Sequence, residues 1–383
     1  MRSAFPRQVR TGVAAFAVLA ALSTAAACGS DNSSTGSSTD KSGGADGAAA
    51  VPSEVSATVD QFRGEAQLGL KPLSAKPATG KHVIFLANAA APTTVTTGGF
   101  FLEAAKTLGW TGKMENYAGD PASLATAVDQ AVSEKPDGIV ISGADPSSFS
   151  NALKKAGAAG VPVFVGGAPA KPTGMDQGGL SGLSLGEQYL LAEGKTSADW
   201  VLKDSGAKAN VAIVTLAGFP TLQVEEKGFT DELKSVCPSC KTKTVETQLT
   251  DIGKALPGTV VSTLQTEPDI NYVYFPYGDM SVGVPAALKA ANLSPKLVTA
   301  IASDNTYADL KSGKAVMTLS TASEIQGWLE ADLVARYYDT KAPVLDDVTP
   351  FRIYDKTNDQ ADKLPVSPSD YQDQFKKLWL LAN

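Results

Sequence analysis

The sequence predicts an α/β protein built from two doubly wound parallel-sheet domains. From Lys81 onward, short apolar runs rich in valine, isoleucine and phenylalanine alternate with segments whose apolar residues recur every three or four positions. This alternation predicts a parallel sheet whose connecting helices cover both faces. The rhythm occurs twice along the chain, and 383 residues are enough for two domains of ordinary size.

The first β-α set begins at His82. Most of its strand-like runs are four to six residues long and carry little polar alternation, which is typical of strands buried on both faces. We predict strands at residues 82–87, 113–117, 138–142, 162–165 and, with a weaker pattern, 180–185. We predict helices at residues 98–108, 122–134 and 147–158.

The second set repeats this scheme after a helix that begins near Leu191. We predict strands at residues 209–216, 242–247, 270–275, 297–302, 315–320 and 351–354. The predicted helices are 221–236, one ending near Leu264, 282–291, 307–311, 325–338 and 371–381. Two open sheets that face each other form a cleft, and such sheets bind ligands at the carboxyl ends of their strands.

The N-terminus has the pattern of a secretory signal. Three arginines precede a short alanine-rich apolar run, and Ala25-Ala26-Ala27 leads directly to Cys28. A basic start, a short apolar run and small residues before a cleavage site are typical of signal peptides. The cysteine in this position resembles a bacterial lipoprotein signal. We therefore predict a signal peptide at residues 1–27 and lipidation of Cys28; the alternative is an ordinary cleaved signal followed by an unrelated cysteine.

Two segments separate this signal from the first set. Residues 28–50 are mostly glycine, serine, alanine and aspartate, so we predict a disordered linker. Residues 51–80 form a lead-in segment with one short helix near residues 55–63.

Charge and cysteine content limit the function classes. Without residues 1–27 the chain keeps 30 basic and 40 acidic residues, which speaks against nucleic-acid binding. Cys237 and Cys240 form a single CxxC, and His82 is the only histidine. In an oxidising compartment, we predict a structural disulfide between these cysteines in preference to a redox motif or half of a zinc site. We predict no metal and no cofactor.

Catalytic motifs find little support. A G-x-S-x-G match occurs at residues 182–186, but no histidine follows Ser184 to activate it. The glycine-rich stretches 166–169 and 178–180 lack the GxGxxG spacing of a nucleotide site and are better explained as tight turns. The sequence therefore predicts a protein that is not an enzyme.

Six segments carry a resemblance to a known family. They are 101–110 (FLEAAKTLGW), 135–141 (KPDGIVI), 159–163 (AGVPV), 227–229 (KGF), 302–304 (ASD) and 326–332 (QGWLEAD). Together, they resemble the type I periplasmic (sugar-type) solute-binding proteins of ABC importers. The segment 68–73 and the CxxC resemble a subgroup of actinobacterial lipoproteins. The lac-repressor-like regulators share this fold, but they need a DNA-binding headpiece that this chain lacks.

The resemblance implies an organisation and partners. It implies two domains, at residues 81–187 plus 321–348 and at residues 188–320 plus 349–383. Three chain crossings, near residues 187–190, 320–322 and 347–350, would act as a hinge. The expected protein is a monomer tethered by its lipid to the outer face of the cell membrane, and it delivers a small molecule to an ABC permease. The alternatives are a ligand-sensing lipoprotein that reports to a membrane receptor and, less favoured, a secreted enzyme.

The chain also departs from the family pattern at the expected sugar site. Residues 90–94 (AAPTT) stand where ribose-type proteins carry asparagine and paired aromatics. Gly167 replaces a carboxylate, Glu225 an arginine and Tyr277 an asparagine, and only Asp304 keeps the family residue. Losing such polar groups leaves ligand hydroxyls unpaired. These departures therefore argue against a simple pentose or hexose as the ligand.

We predict the ligand site on loops that follow the strands. Its residues are Asn88, Thr93, Thr94, Thr97, Asp145 and Gly167 from the first domain, Phe219, Thr221, Gln223, Glu225, Tyr277, Asp279, Asp304 and Asn305 from the second, and Thr321 and Glu324 near a crossing. Helix capping is the alternative role for Thr221 and Asp145. Because acids outnumber bases in this set, we expect a neutral or cationic ligand with some apolar surface.

Overall fold

The computed structural model describes residues 51–358 and 360–382. The predicted signal peptide, Cys28 and the linker up to residue 50 lie outside the described residues. No helix within the described ranges is both long enough and apolar enough to cross a membrane.

Twelve strands lie within the described residues. They are β1 (His82–Asn88), β2 (Thr111–Tyr117), β3 (Gly138–Ser142), β4 (Val163–Gly166), β5 (Gly182–Ser184), β6 (Asn210–Leu216), β7 (Lys241–Thr247), β8 (Tyr272–Phe275), β9 (Lys296–Thr299), β10 (Met317–Ser320), β11 (Val344–Asp346) and β12 (Arg352–Asp355).

Eleven α-helices lie within the same residues. They are α1 (Ser53–Arg63), α2 (Pro92–Thr107), α3 (Pro121–Ser133), α4 (Ser150–Ala158), α5 (Glu187–Ser205), α6 (Pro220–Val236), α7 (Leu256–Thr266), α8 (Val284–Ala290), α9 (Asp304–Lys311), α10 (Ser323–Thr340) and α11 (Tyr371–Leu378). Short 3-10 turns occur at Pro146–Phe149, Met175–Gln177, Leu249–Asp251 and Gly278–Ser281.

The strands form two six-stranded sheets, which confirms the predicted fold class. The first sheet has the order β11-β5-β4-β3-β1-β2, and all its neighbours are parallel. The second has the order β12-β10-β9-β8-β6-β7. Its strands are parallel except β12, which pairs antiparallel with β10. Below, each sheet and the helices packed on it are called the first half and the second half.

The chain passes between the two sheets three times. It leaves the first sheet after β5, returns after β10, and leaves again after β11. The helices follow the same division, since α5 packs on α6 and α10 packs on α2. The exact domain limits and the hinge role of these passages stay predictions.

Proline sets two helix starts that the sequence interpretation placed too late. Pro92 and Pro220 occupy the first turns of α2 and α6, where a missing N–H costs nothing. Helix α2 thus begins six residues before the predicted start at Gly98. Three threonines predicted on a loop, Thr93, Thr94 and Thr97, belong to its first two turns.

Two further elements differ from the prediction. Strand β11 was missed because it has three residues, and the middle one, Leu345, is half exposed. Helix α11 was assigned with the second domain, but it packs on α10 of the first half. The rings of Trp328 and Trp379 stack at 5.2 Å, and Trp379 Nε1 donates to Asp332 Oδ1 at 2.7 Å.

The lead-in segment is part of the folded body. Helix α1 packs on α5 and β12, and Val55 and Val59 are buried. At the helix end, Arg63 Nε donates to Asp355 Oδ2 at 2.9 Å, and Trp200 Nε1 donates to the same oxygen at 2.8 Å. The segment is therefore more ordered than the predicted partly ordered lead-in.

The two cysteines of the CxxC are joined by a disulfide. Cys237 caps the C-terminus of α6, and its Sγ is bonded to that of Cys240.

Candidate ligand-binding cavity

A cavity lies where the carboxyl ends of the two sheets meet. It holds about 1100 Å³ of space free of atoms, including the part open to solvent. Its walls come from the ends of β1, β3, β4 and β5 in the first sheet, from the residues after β6 to β10 in the second, and from the starts of α2, α5, α6 and α10. This is where open parallel sheets place their ligands.

The wall of the first half is polar and small. Asn88 ends β1, and its Oδ1 accepts a hydrogen bond from the Ala90 N–H at 2.9 Å. Thr94 Oγ1 donates to the Asn88 carbonyl oxygen at 3.0 Å, which ties the first turn of α2 to the strand end. Thr93 and Thr97 line the cavity from the same helix.

The wall of the second half adds aromatic surface. Phe219 immediately precedes the first turn of α6, and Tyr277 follows β8. The Tyr277 hydroxyl donates to Asp279 Oδ2 at 2.9 Å, and Asp279 Oδ1 accepts from Ser303 Oγ at 2.7 Å. Burial, followed by the negative charge of Asp279, raises the pKa of Tyr277, so its hydroxyl stays protonated.

The two halves touch across the cavity. Thr221 Oγ1 of α6 donates to the Gly167 carbonyl oxygen at 3.4 Å. Thr93 of the first half and Tyr277 of the second half line the same space. These contacts place the first turns of α2 and α6 on opposite sides of one space.

A buried polar cluster closes the cavity near the crossings. Tyr189 and Glu193 are one helical turn apart on α5, and the Tyr189 hydroxyl lies 3.1 Å from Glu193 Oε1 and 3.0 Å from Thr321 Oγ1. Glu193 has no solvent exposure although it borders the cavity. Burial raises the pKa of Glu193 to about 8, against the opposing effect of the Tyr189 hydrogen bond.

Glu225 lies behind this cluster and outside the cavity lining. Its side chain has no solvent exposure, and Tyr274 donates a hydrogen bond to its Oε1. Phe229 stacks on the Tyr274 ring at 4.2 Å. Burial, reinforced by the nearby Glu193, raises the pKa of Glu225 well above its usual range.

The first half has a buried acid of its own. Gln326 lines the cavity from α10, and its Nε2 donates to Ser142 Oγ at 2.7 Å and to Glu330 Oε1 at 3.3 Å. Burial raises the pKa of Glu330 to about 8. Glu330 is not part of the lining; it contacts the wall through Gln326.

The structure brings together nine of the sixteen predicted ligand residues. Those that line the cavity are Asn88, Thr93, Thr94, Thr97, Gly167, Phe219, Thr221, Tyr277 and Thr321. Those that do not are Asp145, Gln223, Glu225, Asp279, Asp304, Asn305 and Glu324. Because they lie outside the lining, their positions give no support for a role as ligand contacts.

Local structure explains most of these misplacements. Asp145 caps the 3-10 turn at Pro146–Phe149 by accepting from the Ser147 N–H, which was the alternative role. Gln223 and Asn305 are exposed on helices α6 and α9. Asp304 is exposed at the start of α9 and accepts from the Leu364 N–H at 3.3 Å. Glu324 is half-buried in the first turn of α10, and Asp279 supports Tyr277 from behind the lining.

These positions remove the excess of acidic residues that was predicted for the ligand site. The four acids that set the predicted charge balance, Asp145, Glu225, Asp279 and Asp304, do not line the cavity. Among the lining residues Glu193 is the single ionisable carboxyl, and none is lysine, arginine or histidine. No cluster within the described ranges gathers three metal-ligating side chains.

Sequence reasoning missed the residues that close the cavity. Glu193, Ser142 and Gln326 lie within predicted helices and strands that were given no ligand role, and Tyr189 lies in a predicted crossing. One feature could have indicated Glu193. A carboxylate beside Gly194, on a helix whose neighbouring residues are buried, is unusual and suggests a functional role.

Comparisons with known proteins agree with this architecture. Residues 85–342 match a family model described as a periplasmic binding protein domain. The chain is 25% identical over 189 residues to the ABC transporter periplasmic-binding protein YphF of Escherichia coli K12, which covers 48% of this chain and 55% of that protein. The match thus spans about half the length of this curated relative.

Solved structures share the fold over most of the body. One is a periplasmic ribose ABC transporter protein from Conexibacter woesei, with a TM-score of 0.62 and 19% identity, covering 75% of this chain and 96% of that one. Another is an ABC transporter solute-binding protein from Burkholderia graminis in complex with D-arabinose, with a TM-score of 0.63 and 19% identity, covering 76% and 100%.

Proposed function

Because this chain belongs to the periplasmic binding protein domain family, we propose that it captures a small uncharged, hydroxylated solute and delivers it to an ABC importer. The single observation that carries this is the cavity between the two sheets, lined by neutral polar groups and aromatic faces. The relatives bind solutes for transporters and are not enzymes, so we set the secreted enzyme aside.

The solute class follows from what the walls offer. Threonine, serine, asparagine and glutamine side chains provide donors and acceptors, and Phe219 and Tyr277 provide apolar faces. An anionic ligand normally pairs with an arginine fork, and no basic side chain lines this cavity. The names of the structural relatives, which include ribose and D-arabinose, support a sugar-like or polyol ligand.

Ligand screening tests this proposal. We expect a thermal-shift screen over pentoses, hexoses, polyols and nucleosides to yield at least one neutral binder, which titration calorimetry then quantifies. Tyr277→Ala should weaken that binder by about 1–3 kcal/mol, because the variant removes an aromatic wall and a hydroxyl. Asp304→Ala is the matched control, since Asp304 lies outside the lining. Equal losses in both variants would contradict the cavity as the site.

The location is the second part of the proposal. We infer an extracytoplasmic protein anchored through a lipid on Cys28, supported by the signal pattern at residues 1–27. Cys28→Ala should release the protein into the medium on cell fractionation; retention of this variant at the membrane would refute the anchor.

A sensory role is the remaining candidate. The same cavity and hinge suit a lipoprotein that presents its ligand to a membrane receptor. Uptake of the radiolabelled ligand in a strain deleted for this chain decides between them, because transport requires the protein and sensing alone leaves uptake intact.

A further inference from the structure

Glu193 is the one carboxyl among the residues that line the cavity. Its side chain is fully buried, with no solvent exposure. Its Oε1 is occupied, because the Tyr189 hydroxyl lies 3.1 Å away. Its Oε2 has no hydrogen-bond partner among the described residues. A buried polar atom without a partner is costly, so a bound molecule that pairs with Oε2 gains that interaction.

The surroundings of Glu193 keep it neutral. The titratable groups that face it are Tyr189 on its own helix, Glu225 on α6 and Tyr274 on β8. None of these is basic, and the second carboxyl opposes a negative charge on the first. Burial raises the pKa of Glu193 to about 8, although the Tyr189 hydrogen bond opposes this shift. At neutral pH the group therefore carries its proton.

Hydrogen-bond geometry gives that proton a position. The Tyr189 hydroxyl also lies 3.0 Å from Thr321 Oγ1, and Thr321 follows β10 at a passage between the sheets. With Oε1 accepting from Tyr189, the carboxyl proton belongs on Oε2. A protonated Oε2 is a hydrogen-bond donor and no longer an unpaired acceptor.

We propose that Glu193 recognises the ligand as a neutral carboxylic acid, whose Oε2–H donates to a hydroxyl, ether or carbonyl oxygen of an uncharged molecule. This rests on the proposed solute-binding function and names the group that selects for a neutral ligand. A ligand amine finds no negative charge to pair with, and a ligand carboxylate finds no lysine, arginine or histidine among the lining residues.

Three variants of the full chain test this role. Glu193→Gln keeps a donor at the same place and cannot ionise; Glu193→Leu removes the donor. Asp199→Asn is the control, because Asp199 is a buried acid on the same helix that pairs with Lys195 and does not line the cavity. The probes are D-ribose, D-arabinose and D-glucose, with D-glucosamine and D-glucuronate as charged counterparts of glucose. Calorimetry is run from pH 6 to pH 9.5, and circular dichroism checks that each variant is folded.

We expect a neutral probe to bind the wild-type protein with constant affinity below pH 7. Above pH 8 its Kd should rise about tenfold per pH unit, as Glu193 loses the donated proton. Glu193→Gln should bind within about threefold of the wild type and show no such rise. Glu193→Leu should bind about 10- to 100-fold more weakly. Asp199→Asn should keep the wild-type pH profile.

Specific outcomes overturn the inference. Binding that tightens with rising pH and is lost in Glu193→Gln would show an ionised carboxylate that pairs with a cation. Full affinity in Glu193→Leu would show that Glu193 takes no part. If only glucosamine or glucuronate binds, the neutral-acid role is wrong while the solute-binding function stands. If neither the five compounds nor any pentose, hexose, polyol or nucleoside of the screen binds the folded wild-type protein, the proposed uncharged, hydroxylated solute class is wrong together with the inference.

Discussion

Each half of the molecule has a closely packed helix pair with a buried glutamate, but the two glutamates lie differently with respect to the cavity. In each half two long helices pack closely at a glycine, α5 with α6 in the second half and α2 with α10 in the first. In each pair one helix, α5 or α10, carries a buried glutamate whose pKa is near 8. In the first half Glu330 lies behind Gln326, which separates it from the cavity. In the second half Glu193 borders the cavity itself. Burial of an acid is therefore not enough to identify a ligand contact. Whether another side chain separates the acid from the cavity must also be known.

Substitution of the glycines at the two helix contacts should have the largest effect on stability. A methyl group at Gly194 would lie 1.9 Å from the Glu225 carbonyl oxygen, whereas at Gly327 it would lie 2.6 Å from the Thr97 carbonyl oxygen. Both neighbours are backbone and yield only if a helix moves. We expect Gly194→Ala to lower the free energy of unfolding by about 3 kcal/mol or more and Gly327→Ala by about 1–3 kcal/mol, measured by urea denaturation.

Gly258 on α7 is the matched control. It is exposed, and a methyl group there would meet nothing within 4 Å. Gly258→Ala should leave stability unchanged or raise it by up to about 1 kcal/mol, because alanine favours the helix. A Gly194→Ala variant as stable as Gly258→Ala would show that the two helices are not in close contact.

The buried acids should produce the next largest effect, a dependence of the free energy of unfolding on pH. Glu193 and Glu330 have pKa values near 8 in the folded protein against an ordinary value of 4.5. Between these values the folded chain keeps protons that the unfolded chain releases. The free energy of unfolding should therefore fall as pH rises from 4.5 to 8, by about 1.4 kcal/mol per pH unit for each group at full effect.

Replacing either acid should flatten that decline. Glu330→Gln and Glu193→Gln should each be more stable than the wild type at pH 8, by about 2–4 kcal/mol, and nearly equal to it at pH 5. Glu54→Gln, on the exposed face of α1, serves as the control. Denaturation at pH 5, 6.5 and 8 measures the profiles of the wild type and the three variants. Profiles of Glu330→Gln that parallel the wild type at every pH would mean that Glu330 is not a buried neutral acid.

The sequence predicted the fold far better than the site, and the reason is physical. Apolar strand runs such as residues 138–142 and 162–165 have few alternatives to a buried parallel sheet, so the architecture was predictable. The site depends on which side chains of a helix face the cavity. The packing of α5 against α6 decides this orientation, and the sequence pattern of one helix does not show it. Glu225 was placed by alignment in the cleft, but the structure turns it behind Tyr274. The run of threonines after Pro92 was read as a loop because threonine is a weak helix former.

The ends of α2 and α6 give the smallest effect and complete the comparison. Helix α2 is followed by Gly109 at φ 75°, a left-handed conformation suited to glycine, with the Trp110 N–H donating to the Ala105 carbonyl oxygen at 2.9 Å. Helix α6 instead ends in the disulfide between Cys237 and Cys240. Because the bond closes so short a loop, it removes little entropy from the unfolded chain. The double variant Cys237→Ala/Cys240→Ala should therefore lose about 1–2 kcal/mol of unfolding free energy and keep its ligand affinity, as followed by thermal denaturation and calorimetry. An unfolded double variant would contradict this, and would show that the α6 end depends on its covalent link in a way that the α2 end, held by glycine and backbone hydrogen bonds, does not.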